Sequence, residues 1–256
     1  MAVDPHAAPL SAPARPELTG GRRVGVLLSH GFTGSPFSMK PWGEFLAEKG
    51  YAVEVPRLPG HGTTWQELNR TGWSDWTEEI ARTYERLAAD TDRIVIGGLS
   101  MGGALVLRLA ADRPDKLAGV ILVNPAIRTL RKDVLALPVL KHVVPAFPAI
   151  ANDIKKPGMD EHAYPKTPLK AAASMMAGWK GVREDLGRID VPVLYFRSTV
   201  DHVVDDSTEP LVTGGVSGPV TMRRLEDSFH VATIDNDAPT IFEESAEFVA
   251  KVTAGS

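Results

Sequence analysis

The sequence predicts an α/β fold with a mostly parallel central sheet, helices on both faces and an inserted helical cap. Two observations support this prediction. Short runs of strand length alternate with segments of helical periodicity, and the alternation lapses once, in a stretch interrupted by prolines. The predicted strands lie at 24–29, 51–56, 93–99, 117–124, 191–198 and 220–225. Because strands and helices alternate, we expect parallel pairing through right-handed crossovers.

Each connecting segment has a helical signature of its own. The first helix is expected to stop at Gly50, because glycine favours the position just after a helix C-terminus. The helix from Ser74 carries Asp75 and Glu78 in its first turns, where the helix dipole favours negative charge. Apolar residues at helical spacing mark the helices at 39–50, 74–87, 104–110 and 241–252. The last of these is expected to close the domain.

The chain length of 256 residues suits one well-buried domain. We expect this α/β domain to cover residues 19–256, with the cap inserted at about 125–190. Residues 1–18 are rich in alanine and proline and have neither the basic start nor the apolar stretch of a signal peptide. They are expected to form a disordered tail.

Composition narrows the function to small-molecule chemistry. The net charge of -4 provides no basic footprint for nucleic acid. The absence of cysteine excludes disulfides, thiolate nucleophiles and cysteine-ligated zinc, and the histidines lack metal-ligand spacing, so neither a metal nor a cofactor is expected. No apolar run approaches the roughly 18 residues that span a bilayer. We therefore expect a cytoplasmic protein without an integral membrane segment.

A G-x-S-x-G motif centred on Ser100 follows the 93–99 run and precedes a helix. This order is the nucleophile elbow of the α/β-hydrolase fold, in which the sharp turn needs glycines such as Gly98 and Gly102. A structural turn or a phosphate-binding loop is the alternative. The segment lacks both G-x-G-x-x-G spacing and a Gly-Lys-Ser/Thr ending, so a nucleophilic serine is favoured.

A serine nucleophile needs a base and an orienting acid, which in this fold follow the serine in the order acid, then histidine. The histidines are at positions 6, 30, 61, 142, 162, 202 and 230. The first three precede the serine and the next two lie in the cap. His202 directly follows the best acid, Asp201, so His230 is the predicted base. Asp205 and Asp206 lie further into the loop, where we expect them to be solvated or to cap the next helix.

Two backbone N–H groups are predicted to hold the oxyanion: those of Phe32, in the glycine-bracketed turn 30–34, and of Met101. His30 in that turn, and His61 in the rigid loop after the second strand, are interpreted as structural hydrogen-bonding residues. The rate is expected to fall in acid as the base becomes protonated.

The predicted cap is dominated by apolar side chains, from Leu135 to Ile150 and at Met175 and Met176. Some must pack onto the body, but an apolar roof over a nucleophile also suits an acyl chain. The polar residues Asn152, Asp153 and Glu161 are candidates to meet an alcohol headgroup, although for each a solvated surface role is the more common one.

Five segments together resemble the bacterial monoacylglycerol lipases and their carboxylesterase relatives. They are HGFTG at 30–34, GLSMGG at 98–103, EHAYPKTP at 161–168, DHVV at 201–204 and SFHVATID at 228–235. The resemblance implies a Ser100, Asp201 and His230 triad, with Phe32 and Met101 as oxyanion donors. It also implies a cap that accepts an acyl chain, with Glu161 near the glycerol end.

The leading hypothesis is a cofactor-free serine hydrolase that acts on monoacylglycerols or similar esters with an apolar acyl chain. A general carboxylesterase for short to medium chains is the nearest alternative. A carbon–carbon hydrolase shares the triad, and a small-ligand receptor on the same fold is the alternative that is not an enzyme.

Overall fold

The computed structural model describes residues 3–112, 114–149 and 151–254, and a seven-stranded sheet forms its centre. The strands in chain order are β1 (Leu10–Ala12), β2 (Val24–Ser29), β3 (Ala52–Val55), β4 (Arg93–Leu99), β5 (Leu117–Val123), β6 (Ala146–Pro148), β7 (Lys166–Pro168), β8 (Val193–Ser198) and β9 (Val220–Leu225). The spatial order of the main sheet is β1-β3-β2-β4-β5-β8-β9. Within this sheet, β1 is the only described strand that runs antiparallel to its neighbour, which confirms the mostly parallel sheet.

Helices cover both faces of this sheet. They are α1 (Lys40–Glu48), α2 (Trp65–Leu68), α3 (Trp73–Asp90), α4 (Met101–Ala111), α5 (Leu137–Leu140), α6 (Leu169–Asp185), α7 (Glu209–Gly215) and α8 (Ala238–Thr253). Helices α3, α4 and α6 pack into one core and α1 and α8 into the other. Across the described ranges, no helix combines the length and apolarity that crossing a bilayer requires.

The central strands have continuous apolar sequences because both of their faces are buried. Along β2, Leu27 packs into the α3–α4 core, while Val26 and Leu28 pack into the α1–α8 core. The alternation follows from the two-residue period of a strand, which sends successive side chains to opposite faces. The side chains Val26, Leu27 and Leu28 are fully buried, as expected for a central strand.

The expectation of a disordered N-terminal tail is wrong for residues 3–18. Leu10–Ala12 forms the edge strand β1, which pairs with Val53–Val55 of β3. The Arg15 N–H donates to the Gly50 carbonyl at 2.8 Å, which fixes the chain beyond the strand. A strand of three residues is too short to show a periodic pattern, so the sequence alone does not reveal that it pairs with the edge of β3. Residues 1 and 2 lie outside the described residues.

The stretch assigned to the cap, about 125–190, lies between β5 and β8 and differs from the expected series of short helical pieces. It contains an antiparallel ribbon of β6 and β7, and then α6, which runs for 17 residues. Pro168 directly precedes α6, so this proline begins a long helix rather than interrupting one. Ile150, which the sequence assigns to the cap, lies outside the described residues.

The residues of the predicted triad and the predicted oxyanion donors all follow the carboxyl ends of parallel strands in the main sheet. Phe32 follows β2, Ser100 follows β4, Asp201 follows β8 and His230 follows β9. The carboxyl ends of parallel strands meet at one edge of a sheet, which is where open α/β sheets bind ligands. The fold therefore brings together residues that are up to about 200 positions apart in the chain.

Candidate active site

Ser100 lies at the sharp turn between β4 and α4, and its backbone is strained. Its φ of 56° and ψ of -117° lie where residues other than glycine are rare. A Cβ at Gly98 would lie 2.3 Å from the Gly102 backbone, and one at Gly102 would lie 2.1 Å from the Ser29 carbonyl oxygen. Both positions therefore require glycine. The Ser100 N–H donates to the Val123 oxygen at 3.0 Å and fixes the turn.

Two backbone amides beside the serine, those of Phe32 and Met101, find no acceptor within the described ranges. Met101 is the first residue of α4, where N–H groups lack a partner within the helix and the dipole is positive. The loop that carries Phe32 passes close by, because a Cβ at Gly31 would lie 3.4 Å from the Ser100 Cβ. Free N–H groups next to a nucleophile can stabilise a developing oxyanion.

His230 and Asp201 form a hydrogen-bonded pair. His230 Nδ1 lies 2.9 Å from Asp201 Oδ2, and the Asp201 side chain is fully buried. The other carboxylate oxygen, Asp201 Oδ1, accepts from the N–H groups of Val203 and Val204 at 2.9 and 2.8 Å. Because an ionised carboxylate only accepts, Nδ1–H of His230 must donate here. In the neutral ring Nε2 is then an unprotonated acceptor.

In both residues of this pair, charge and hydrogen bonding together affect the pKa more strongly than burial does. Burial alone raises the pKa of Asp201, but the charge and hydrogen bond of His230 lower it well below its ordinary value. Burial alone lowers the pKa of His230, but Asp201 raises it above its ordinary value, with smaller contributions from the charges of Glu161 and Asp153. Asp201 is therefore ionised at neutral pH and stabilises the protonated form of His230.

Arg197, which sequence reasoning did not select, holds Asp201 from the other side. This arginine is 2 % exposed, and its Nη1 lies 2.5 Å from Asp201 Oδ2. Its Nη2 donates to the Val204 carbonyl at 2.7 Å and to Asp206 Oδ1 at 3.0 Å. The signal in the sequence is one charged residue inside the apolar run of β8, since a buried charge needs a partner.

Asp153 connects the cap to the histidine loop. Its Oδ2 accepts from the backbone N–H of His230 at 3.2 Å and of His202 at 3.1 Å. Its Oδ1 lies 2.7 Å from His202 Nδ1, and its backbone carbonyl accepts from the Val231 N–H at 3.1 Å. These four contacts make Asp153 a support for the His230 loop, whereas its sequence context suggests a solvated residue.

Asp235 is a second carboxylate that joins the cap to the loop of His230. The side chain is buried, and its oxygens accept from the backbone N–H groups of Lys155 and Lys156 at 2.7 and 2.8 Å. One of the same oxygens accepts from the Phe229 N–H at 2.9 Å. The cap segment 153–156 and the loop that carries His230 therefore share two buried carboxylates.

Ser100 and His230 line one cavity of about 570 Å³, which opens beneath the cap. Apolar side chains form much of its wall, among them Leu137, Leu140, Leu169, Met175 and Met176. The Ser100 hydroxyl makes no hydrogen bond to any residue that the structure describes, so it is available to a ligand. In enzymes without bound substrate, the hydrogen bond between a serine and its base is often long and tightens only when substrate binds.

Glu161 also lines the cavity. Its Oε1 accepts from the Asn152 N–H at 2.9 Å, and its own N–H donates to Asn152 Oδ1 at 2.9 Å, so the two residues fix each other. Burial raises the pKa of Glu161 above its ordinary value. Its Oε2 has no partner in the described part of the chain and can accept from a ligand hydroxyl.

The remaining histidines and acids have other surroundings. His30 donates from Nδ1 to the Gly31 carbonyl and accepts the Leu58 N–H at Nε2, and burial lowers its pKa to about 4. It is a neutral structural residue. Asp205 accepts from the Leu130 N–H at 2.7 Å rather than capping α7, whose N-cap is Thr208.

The structure offers no place for a metal ion among the residues that it describes, since no three His, Cys, Asp or Glu side chains are grouped suitably. The strained serine after a central strand, with a histidine held by a buried carboxylate in the same cavity, is the arrangement of serine hydrolases with the α/β-hydrolase fold.

Comparison with known proteins agrees with this class. The model of the serine aminopeptidase S33 family of hydrolases matches residues 21–237, and the chain belongs to that family. It is 38% identical over 248 residues to the thermostable monoacylglycerol lipase of Bacillus sp. (strain H-257), covering 95% of this chain and 97% of the relative. It is 27% identical to the carboxylesterase of Bacillus subtilis (strain 168), over 91% of this chain and 94% of that one.

A solved structure from a report on two metagenome-derived lipolytic enzymes, LipS and LipT, superposes with a TM-score of 0.92. It is 39% identical and covers 98% of this chain and 100% of its own. The fold class and the prediction of an ester-hydrolysing enzyme are thereby confirmed.

Proposed function

We propose that this protein hydrolyses monoacylglycerols and similar carboxylic esters to a fatty acid and an alcohol through an acyl-enzyme. The observation that supports this best is the position of Ser100, which shares one largely apolar cavity with His230, whose ring is hydrogen-bonded to the buried Asp201. The likeness to a monoacylglycerol lipase over nearly the whole chain supports the same substrate class.

The first half of the reaction forms the acyl-enzyme. His230 Nε2 removes the proton of the Ser100 hydroxyl while Oγ attacks the ester carbonyl carbon. The N–H groups of Phe32 and Met101 stabilise the oxyanion, and Asp201 stabilises the imidazolium. Collapse of the intermediate breaks the bond to the alcohol oxygen, which takes the proton from His230 and leaves.

The second half regenerates the enzyme. Water enters in place of the alcohol, and His230 removes a proton from it as its oxygen attacks the acyl carbonyl. The bond to Ser100 Oγ then breaks, Oγ recovers a proton from His230, and the fatty acid is released. No cofactor takes part in either half.

Two kinds of side chain in the cavity wall suit the two parts of the substrate. The apolar side chains Leu137, Leu140 and Met176 provide a surface for the acyl chain. Glu161 Oε2 has no partner among the residues that the structure describes, and we assign it to a glycerol hydroxyl. A general carboxylesterase would need the apolar surface for the acyl chain but would not need the contact between Glu161 and a glycerol hydroxyl.

A hydrolysis panel of glycerides that differ in chain length and number tests this function. We expect strong activity on monoacylglycerols, little on triacylglycerols, and a lower kcat/KM for a methyl ester of the same acid. Glu161→Gln is expected to reduce the preference for monoacylglycerol over the methyl ester. The reverse preference for triacylglycerols would contradict the proposal, and equal rates on glycerol and methyl esters would favour the carboxylesterase.

The pH dependence of kcat/KM should report the titration of His230. The base must be neutral, so activity is expected to rise with pH through a midpoint above the ordinary 6.5 of histidine, because Asp201 raises this pKa. Asp153→Asn retains an acceptor for the His230 N–H but removes a charge that raises the same pKa, so its midpoint should move to lower pH.

Asp160→Asn provides the matched control for this profile. Asp160 belongs to the same cap region and is exposed, and its carboxylate accepts from the backbone N–H of His162 rather than from the His230 loop. The midpoint of the pH profile of Asp160→Asn should equal that of the unmodified enzyme. A flat profile from pH 5 to 8 would contradict the role of His230, and an unmoved midpoint in Asp153→Asn would contradict the coupling.

A further inference from the structure

The cavity above Ser100 continues into a second depression that is more open to solvent. Arg128, Val134, Met176 and Trp179 line both spaces, and Arg183 lines only the second. Because three of the shared residues, Val134, Met176 and Trp179, are apolar, the two spaces are joined by a wall against which an apolar chain can pack.

Both arginines at this second opening lack a carboxylate partner in the described part of the chain. Arg128 is exposed and forms neither an ion pair nor a hydrogen bond there. Arg183 is half-buried, and its Nη1 donates to the Ile127 carbonyl at 2.7 Å. Among the described residues, its other nitrogens have no partner and no carboxylate compensates its charge. The Trp179 side chain, 6 % exposed, also has an Nε1–H without an acceptor.

The nearby acids are already engaged. Asp133 lines the main cavity and is paired with Arg131, whose Nη2 lies 2.5 Å from its carboxylate. Asp205 accepts from the Leu130 N–H at 2.7 Å and the Thr129 hydroxyl at 3.2 Å. The opening therefore combines an apolar wall with two uncompensated guanidinium groups, which match the fork geometry of a carboxylate.

We propose that this second opening binds the carboxylate of an apolar chain that lies in the acyl cavity. Two sources have this chemistry: the far end of the acyl group in a half-ester of a dicarboxylic acid, and the head of a free fatty acid. The inference rests on the proposed ester hydrolysis for the first source, whereas binding of a fatty acid does not require turnover.

The first arm compares monomethyl suberate with methyl octanoate, two esters with acyl chains of equal length. The measured quantity is kcat/KM for monomethyl suberate divided by kcat/KM for methyl octanoate. Arg128→Met and Arg183→Met are each expected to lower this ratio by about threefold to tenfold, which is the range for a partly solvated charge-assisted contact. The change should lie mainly in KM. Added salt should lower the same ratio in the unmodified enzyme because exposed charges are screened.

The second arm measures the Kd of octanoate by calorimetry, which needs no catalysis. Lys180→Met is the matched control in both arms, since Lys180 lies on α6 beside Trp179, is 74% exposed and lines neither space. If the arginine variants lower the ester ratio, the half-ester is a ligand of the second opening. If they weaken the binding of octanoate, the free fatty acid is a ligand. Unchanged values of both in the two arginine variants would overturn the inference.

The two failures are distinguishable. Absence of methyl octanoate hydrolysis in the unmodified enzyme would count against the proposed function and leave the octanoate arm to decide the inference. Hydrolysis of methyl octanoate by all variants, with an unchanged ratio and an unchanged Kd, would retain the function and reject the carboxylate site.

Discussion

Ser100→Ala is expected to reduce hydrolysis of a monoacylglycerol or a p-nitrophenyl ester by about 10⁴-fold or more, because the catalytic groups act as a unit. Alanine has the same Cβ as serine, so the strained turn at φ 56° should persist and the loss should lie in kcat. Steady-state kinetics together with a melting curve measure this. Normal turnover by the variant would reject Ser100 as the nucleophile.

Ser29→Ala is the matched control for this loss. Ser29 ends the neighbouring strand β2, is fully buried, and has a hydroxyl without a partner among the described residues. Its removal should change turnover by no more than about twofold, since buried hydroxyls without partners contribute little. Similar losses in both variants would indicate general damage to this edge of the sheet.

Labelling by a fluorophosphonate separates the enzyme from a receptor that merely retains the cavity. The reagent reacts with a serine that a neighbouring base activates, so Ser100 of the unmodified protein should be labelled and Ser100→Ala should not. A protein with intact fold but no labelling at Ser100 would favour the receptor.

Asp201→Asn is expected to lower kcat by about 10⁴-fold, as the amide can donate to His230 Nδ1 and so favour the wrong tautomer. The same change should also reduce the free energy of unfolding by about 2 kcal/mol or more, because it leaves the buried Arg197 without its closest counter-charge. Kinetics over pH and thermal unfolding measure the two effects separately.

Asp206→Asn separates the two roles of the aspartate. Asp206 pairs with the same Arg197 at 3.0 Å, but its side chain is 94% exposed and does not contact His230. We expect a stability loss of no more than about 1 kcal/mol and turnover close to that of the unmodified enzyme. Near-normal turnover in Asp201→Asn would contradict its role in orienting the histidine.

The elements that the sequence predicts correctly are those with local signals. A buried parallel strand is a continuous apolar run, and a nucleophile turn needs glycines two positions to either side of Ser100, so both can be recognised in a short window. Chain order then selects Asp201 and His230 from the remaining candidates. The structure brings these two together at 2.9 Å and opens a single cavity over Ser100 and His230.

The features that the sequence does not reveal depend on partners far along the chain. β1 exists because Leu10–Ala12 meets β3, about 40 positions later, and Asp153 contacts His230, 77 positions later. No short stretch of sequence contains both members of such a pair. A single carboxylate in the sequence is therefore interpreted as solvated until its buried hydrogen-bond partners are known.

The sequence by itself therefore determined the fold class and the sharp turn at Ser100, and it predicted the chain order of the proposed triad. Only the tertiary structure decided which residues support the proposed triad and which second opening adjoins the cavity of Ser100. Arg197 holds the Asp201 carboxylate, and Asp153 accepts from the backbone N–H of His230. The physical reason is that local backbone preferences act over a few residues, whereas the compensation of buried charges depends on which distant segments the packed sheet brings into contact.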